Sequence, residues 1–236
     1  EFMYNSSAVS IYGVSANFIF WTPGIYGVTL IATDASGHWD GHGATITVTD
    51  LTAPNANAGP DQNVNEGVTV IFDGSGSSDN AGITNYTWAF THNATAVLRY
   101  GMNPTFRFWT VDTYIVTLTV RDASGRTGTD TMQVTVHDIT APNANAGVDR
   151  IVVQGTLVTF NGAGSTDNVG VTNYTWTFTY NGSAVVLWDI GPSFQFDIPS
   201  VYIITLTVRD LAGYADTDTM TMTVLDTISP VVNAGP

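Results

Sequence analysis

The sequence predicts an all-β protein made of tandem β-sandwiches, on three observations. The stretch Tyr114-Ile-Val-Thr-Leu-Thr-Val-Arg-Asp-Ala-Ser-Gly125 returns as Tyr202 to Gly213 and, more loosely, as Tyr26 to Gly37, an interval of 88 residues each time (26, 114, 202). Within it Tyr114, Val116, Leu118 and Val120 alternate with Ile115, Thr117, Thr119 and Arg121, the two-residue period of a strand with one apolar and one mostly polar face. Aromatic and β-branched residues, Thr, Gly and Asn are plentiful, and no stretch keeps a long 3.6-residue apolar period. A repeat of this length marks copies of one small domain.

The seams between copies come first. Asp50-Leu-Thr-Ala-Pro54, Asp138-Ile-Thr-Ala-Pro142 and Asp226-Thr-Ile-Ser-Pro230 keep the 88-residue spacing, and Thr-Ala-Pro-Asn-Ala-Asn-Ala-Gly is identical at 52–59 and 140–147. Proline removes a backbone donor and fixes φ, so each seam reads as a short extended linker running into a first edge strand. The boundaries follow: an incomplete unit at 1–50, full units at 51–138 and 139–226, and the first strand of a further unit, or a donor strand, at 227–236.

In the second unit Val68, Val70 and Phe72 share one strand face, and Asp73-Gly-Ser-Gly-Ser-Ser-Asp-Asn80 is a turn-rich loop. Tyr86, Trp88 and Phe90 alternate in the next strand; Phe106 and Phe108 mark another. Tyr114 to Val120 follows, with a turn at Asp122–Gly125, and Met132, Val134 and Val136 close the unit. The third unit repeats the pattern with Val158 and Phe160, Tyr174, Trp176 and Phe178, Phe194 and Phe196, Tyr202 to Val208, then Met220, Met222 and Val224. Short alternating strands separated by turns predict an antiparallel sandwich. The repeated aromatics belong to its core, whereas Trp21, Trp109, Ile71, Ile115 and Ile203 fall out of phase and are expected outside it.

The formal net charge is −14 although only 11% of residues are charged, and all six basic residues are Arg. Nucleic acid and anionic membrane surfaces both need clustered cations, so neither is an expected partner. With no cysteine, disulfide and thiolate chemistry are excluded. The sequence has no apolar span long enough to cross a membrane as a helix and no opening signal peptide.

Four motifs in register, seen twice, carry a family likeness: Ala-Asn-Ala-Gly-Pro-Asp-Gln62, Val70-Ile-Phe-Asp-Gly-Ser-Gly-Ser-Ser-Asp79, Tyr86-Thr-Trp88, and Tyr114 to Gly125. They resemble the polycystic kidney disease (PKD) domain, an immunoglobulin-like β-sandwich of secreted archaeal and bacterial surface proteins. The likeness covers 52–226 well and 1–50 as a headless copy. One departure is that Phe90 and Phe178 are followed by Thr91-His-Asn93 and Thr179-Tyr-Asn181 where the family often has Gly-Asp-Gly. The resemblance implies a spacer, adhesion or surface-layer module at the cell surface and does not imply catalysis.

Candidate sites are few. Asn-x-Ser/Thr occurs at Asn5, Asn85, Asn93, Asn173 and Asn181, the sequons of N-linked glycans. Asp73 and Asp79 in one loop, and Asp167 with the seam residue Asp138, are oxygen ligands of the kind calcium takes, so no cofactor is expected other than calcium. Such residues in turns more often bond their own backbone. His38, Asp40 and His42 would share a strand face and suit a transition metal. The chain has no Gly-x-Ser-x-Gly elbow, His-Glu-x-x-His or phosphate loop, so an enzyme is not expected.

Glu1 aligns with Ala89, so the first unit lacks the equivalents of residues 52–88, and Ile228–Pro236 aligns with Thr52–Pro60. A sandwich without its first strands leaves an apolar groove and open edges. Head-to-tail pairing of copies, with the segment around Val231 and Val232 donated to the next copy's incomplete unit, would cover part of it and build a filament, sheath or surface layer. A window on a longer tandem array and a reduced sandwich packed on the second unit are the rival explanations. The functional expectation is an extracellular structural repeat protein, with accessory or adhesive modules of a larger secreted protein, binding carbohydrate or another cell surface, as the alternative.

Overall fold

The computed structural model describes residues 1–231. Its regular elements are all strands, and the chain separates into two compact units, Glu1–His137 and a second that begins at Asp138.

The first unit opens with a four-stranded sheet formed by β1 (Phe2–Tyr4), β2 (Ser7–Val9), β3 (Gly24–Thr33) and β4 (Trp39–Val48), in the order β2-β1-β3-β4. A two-residue turn, Asn5-Ser6, joins β1 to β2 with φ of 48° and 63°, the backbone that matches strand twist in tight hairpins. β3 and β4 pair along their whole length, from Gly24 with Val48 to Thr33 with Trp39. Phe2, Tyr4, Phe18, Phe20 and Tyr26 cluster at one end, with ring centroids 4.6–5.8 Å apart. Beyond them the apolar face is open, and Leu30 is 66% exposed.

A complete sandwich follows. Its strands are β5 (Gln62–Asn65), β6 (Thr69–Ile71), β7 (Ile83–His92), β8 (Thr95–Tyr100), β9 (Thr105–Arg107), β10 (Thr113–Asp122) and β11 (Thr127–His137). The order β5-β11-β10-β7-β8 makes one sheet and the pair β6-β9 the other. The second unit repeats this with β12 (Arg150–Val153), β13 (Thr156–Thr159), β14 (Asn173–Tyr180), β15 (Ser183–Trp188), β16 (Ser193–Phe196), β17 (Ser200–Arg209) and β18 (Ala215–Leu225), ordered β12-β18-β17-β14-β15 with β13-β16 opposite.

One pairing in each sandwich departs from the antiparallel expectation. β5 lies parallel to β11 and β12 parallel to β18. The chain does not hairpin after β5: a turn closed by the Val68 amide on the Asn65 carbonyl, with Gly67 at φ 72°, carries it across to the other sheet as β6.

The core forms where the period-two faces meet. Val70 and Phe72 meet Trp88, Phe90, Val116, Leu118, Val120, Met132 and Val134, all at most 6% exposed, and the second unit buries the equivalent set. Ile71, Ile115 and Ile203 stand on the outer faces at 58% exposure each, with Trp109 also outside under the Arg107 guanidinium. Each of Tyr26, Tyr114 and Tyr202 donates its hydroxyl to the carbonyl four residues upstream, at 2.7, 2.9 and 2.7 Å, which ties the corner before the strand.

Leu30 and Leu118 occupy the same repeat position in opposite surroundings. Leu118→Ala should cost about 2–5 kcal/mol and Leu30→Ala about 0.5 kcal/mol or less, measured by urea unfolding of each variant followed by tryptophan fluorescence.

Candidate metal centres

Three aspartates converge in each unit. Asp50, Asp79 and Asp122 bring one carboxylate oxygen apiece within 4.8 Å of one another, as do Asp138, Asp167 and Asp210. The placement follows from local structure. Asp50 and Asp138 stand at the start of the two extended seams, Asp79 and Asp167 in the loop before β7 or β14, and Asp122 and Asp210 where β10 or β17 ends.

Every one of these side chains closes its own turn with one oxygen. Asp50 and Asp138 accept the amides of Thr52 and Thr140, both at 3.0 Å. Asp79 accepts the Ala81 amide at 2.7 Å, and Asp167 those of Val169 and Gly170. Asp122 takes the Arg126 amide at 2.8 Å and the Ser124 hydroxyl at 2.9 Å; Asp210 takes the amides of Gly213 and Tyr214.

The second oxygens are what make the clusters unusual. Asp79 Oδ1, Asp122 Oδ2, Asp138 Oδ2, Asp167 Oδ1 and Asp210 Oδ2 are buried with no hydrogen-bond partner, five of the seven such side-chain atoms among the described residues. Asp122, Asp210, Asp50 and Asp138 are 2%, 4%, 6% and 9% exposed. Burial pushes the Asp122 carboxyl up, but the Ser124 hydroxyl and the amides of Arg126, Gly125 and Ser124 outweigh it, so the group stays below the ordinary carboxylate range and is ionised at neutral pH.

Repulsion between two carboxylates about 4 Å apart is on the order of 4 kcal/mol near a protein surface. The chain has no lysine to neutralise the carboxylates. A hard cation bonded at about 2.3–2.6 Å to each oxygen spans such a cluster and removes the repulsion, which fits calcium. Asp34, at the equivalent turn of residues 1–50, places its second oxygen 3.2 Å from His38 Nδ1 instead.

Asp73 lies outside both clusters and accepts the Ser75 amide at 2.9 Å. Asp40 and His42 alternate along β4 while His38 precedes it and turns to Asp34, so the three do not converge. All five sequon asparagines are exposed. Asn5, Asn93 and Asn181 occupy tight hairpin turns at φ 48–49°, a conformation that itself favours Asn. Asn85 and Asn173 face outward on strands and accept the hydroxyls of Thr87 and Thr175. Val231 is 93% exposed, and Val232 lies outside the described residues. Asp50, Asp122 and Asp210 were not among the sequence candidates; their signal was the 88-residue recurrence of the seam Asp and of the Arg-Asp turn.

Acidic groups also pin each seam to the body of its sandwich. Asp130 and Asp218 accept the amides of Ala58 and Ala146, both at 2.8 Å, and Asp216 accepts that of Ala144 at 2.9 Å. In the module at 51–136 Gly128 stands at the Asp216 position, because the seam passes so close that a Cβ there would collide with the Pro54 carbonyl oxygen.

A profile of the PKD domain matches residues 51–136 and 139–224. Among curated proteins the chain is similar to the dyslexia-associated protein KIAA0319 homolog of Rattus norvegicus, 33% identical over 219 residues, covering 86% of this chain and 20% of that protein. It is also similar to chitinase A1 of Niallia circulans, 30% identical over 210 residues, 81% of this chain and 29% of that one. A solved PKD domain from KIAA 1837 protein is 28% identical over 42% of this chain and 100% of that chain, with a TM-score of 0.31. The chain thus spans about a fifth of the length of the KIAA0319 homolog it matches.

The Asp216 carboxyl is held below its ordinary 3.8 by the Ala144 amide, then by the Thr217 amide, against the effect of burial. A depressed folded-state pKa gives stability that is complete above the unfolded pKa and is lost as pH falls through the folded one. Asp216→Ala should therefore be less stable than the parent chain at pH 6, with the gap closing as pH drops below 3.8; urea midpoints across that range measure it.

Proposed function

This chain belongs to the PKD domain family, and we propose that it serves as non-enzymatic, extracellular tandem modules of adhesive or accessory type, each holding calcium where its seam meets its sandwich. The observation that carries the reading is the recurrence of one largely buried three-carboxylate cluster in both complete modules, with an oxygen left unpartnered on the loop and the hairpin aspartate of each. A seam aspartate, a loop aspartate and a hairpin aspartate lie far apart in sequence, so an ion shared by all three cross-links the module and stiffens the start of its chain. Such a role suits a spacer or adhesive module that must hold its shape outside the cell, where calcium is abundant.

Glycan attachment is part of the same reading. Asn85 and Asn173 are the sites of choice, because a strand imposes no backbone need for Asn at an outward position, whereas the hairpin turns do at Asn5, Asn93 and Asn181. Intact-mass measurement of native protein should show added sugar that Asn85→Gln with Asn173→Gln reduces.

A second reading, head-to-tail assembly into a filament or surface layer, is favoured by the open apolar face of residues 1–50, where Leu30 is 66% exposed while Leu118 and Leu206 are fully buried. The segment containing Val231 and Val232 would lie along that face in the next copy. Electron microscopy over a concentration range separates the two: filaments abolished by deleting 228–236 support assembly, and isolated particles support the adhesive or accessory reading.

Calcium at about a hundredfold its dissociation constant stabilises the folded state by about 2.7 kcal/mol per site, roughly 10 °C or more for a domain of this size. The melting temperature should rise by that order on calcium addition, fall back with chelator, and respond weakly in Asp122→Asn with Asp210→Asn. A melting temperature indifferent to both calcium and chelator would remove calcium from the reading.

A further inference from the structure

The two carboxylate clusters share a plan but differ in what surrounds them. In the cluster of Asp50, Asp79 and Asp122, the Ser124 hydroxyl lies 3.3 Å from Asp50 Oδ2 and 2.9 Å from Asp122 Oδ1, and Arg126 Nε donates to the Asp50 backbone carbonyl at 3.4 Å. Two oxygens there are without a partner, Asp79 Oδ1 and Asp122 Oδ2. In the cluster of Asp138, Asp167 and Asp210 the repeat places Ala212 at the Ser124 position and Tyr214 at the Arg126 position. That removes the hydroxyl and the cation together. Each of the three carboxylates then keeps one unpartnered buried oxygen, on residues that for Asp138 and Asp210 are 9% and 4% exposed. Asn168, whose side-chain amide approaches Asp138 Oδ1 at 3.5 Å, is neutral.

We infer that the two centres are graded, the Asp138, Asp167 and Asp210 centre binding calcium more tightly than the Asp50, Asp79 and Asp122 centre, so that rising calcium fills them in that order. The inference rests on the calcium reading given above. Its cause is electrostatic. A guanidinium beside the first centre opposes a divalent ion and already offsets part of the carboxylate charge, while the second centre has no cationic side chain at the matching position. The Ser124 hydroxyl adds to this, since the Asp50 oxygen it touches is partly satisfied before any ion arrives. One repelling charge beside a divalent ion near a protein surface changes affinity by about tenfold or more. The consequence is a graded response: over the intermediate calcium range the module at 139–224 is cross-linked while the module at 51–136 is not.

Isothermal titration of the intact chain with calcium tests this, with Asp122→Asn, Asp210→Asn and the paired Ser124→Ala with Arg126→Tyr as variants. The expected result is two sites at least about tenfold apart in dissociation constant, the tighter lost in Asp210→Asn, the weaker lost in Asp122→Asn, and the gap narrowed in the paired variant. That last variant keeps all six carboxylates, so it remains informative if either Asn variant unfolds. Two sites of equal affinity, or loss of the tighter one in Asp122→Asn, overturns the grading and leaves calcium binding standing. No binding to the parent chain overturns the reading on which the grading rests.

Discussion

A buried indole whose N–H must find an acceptor sets the layout of each complete module. Trp88 and Trp176 are fully buried and stack on Phe72 and Phe160 at 5.3 and 5.0 Å, joining the two sheets at the centre of the core. An unpaired N–H there would cost several kcal/mol, so the ring dictates where a carbonyl has to be. Trp88 donates to the Gly101 carbonyl at 3.1 Å and Trp176 to that of Asp189 at 3.2 Å, and both acceptor residues take positive φ, 99° and 105°. Turning a carbonyl inward demands that backbone whether the residue is Gly or Asp. The loop crossing above is equally constrained, because a Cβ at Gly74 or Gly162 would press on Tyr86 or Tyr174 at 3.0 or 2.8 Å.

Much of this was legible in the sequence because a strand writes its environment with a period of two. Val116, Leu118 and Val120 read as one face and are buried together, while Ile115 and Ile203 read as out of phase and stand exposed. The 88-residue interval added register, fixing which loop in one copy matches which in the next. What periodicity does not encode is partner choice. Nothing in Gln62–Asn65 says that it pairs parallel to β11, since that depends on a turn that sends the chain to the opposite sheet rather than back along its neighbour.

The carboxylate clusters were legible only in part for a related reason. Asp79, Asp138 and Asp167 stand in turn-rich sequence that advertises oxygen ligands, whereas Asp122 and Asp210 end strongly apolar strands and read as turn formers. They are turn formers: one oxygen of each holds its hairpin. The free second oxygen becomes evident only when folding brings three such turns to one point. Asp34 makes the same turn, yet His38 takes its second oxygen, so the local motif alone does not specify a cation site.

The partial module shows that local pattern and core are separable. β3 and β4 pair perfectly in register and the Tyr26 corner is intact, although no tryptophan strand lies against them and Leu30 remains exposed. Hairpin pairing and the aromatic cluster around Phe2 and Tyr26 accompany the sheet; burial of Leu118 and Val120 in the complete copy comes with the strands that carry Trp88 and Val70. The same division applies to the seams. Backbone amides of Ala58, Ala144 and Ala146 fasten each extended segment to the half-exposed carboxylates of Asp130, Asp216 and Asp218, so the seam is placed by ordinary hydrogen bonds. The neighbouring clusters differ in keeping buried oxygens without a hydrogen-bond partner.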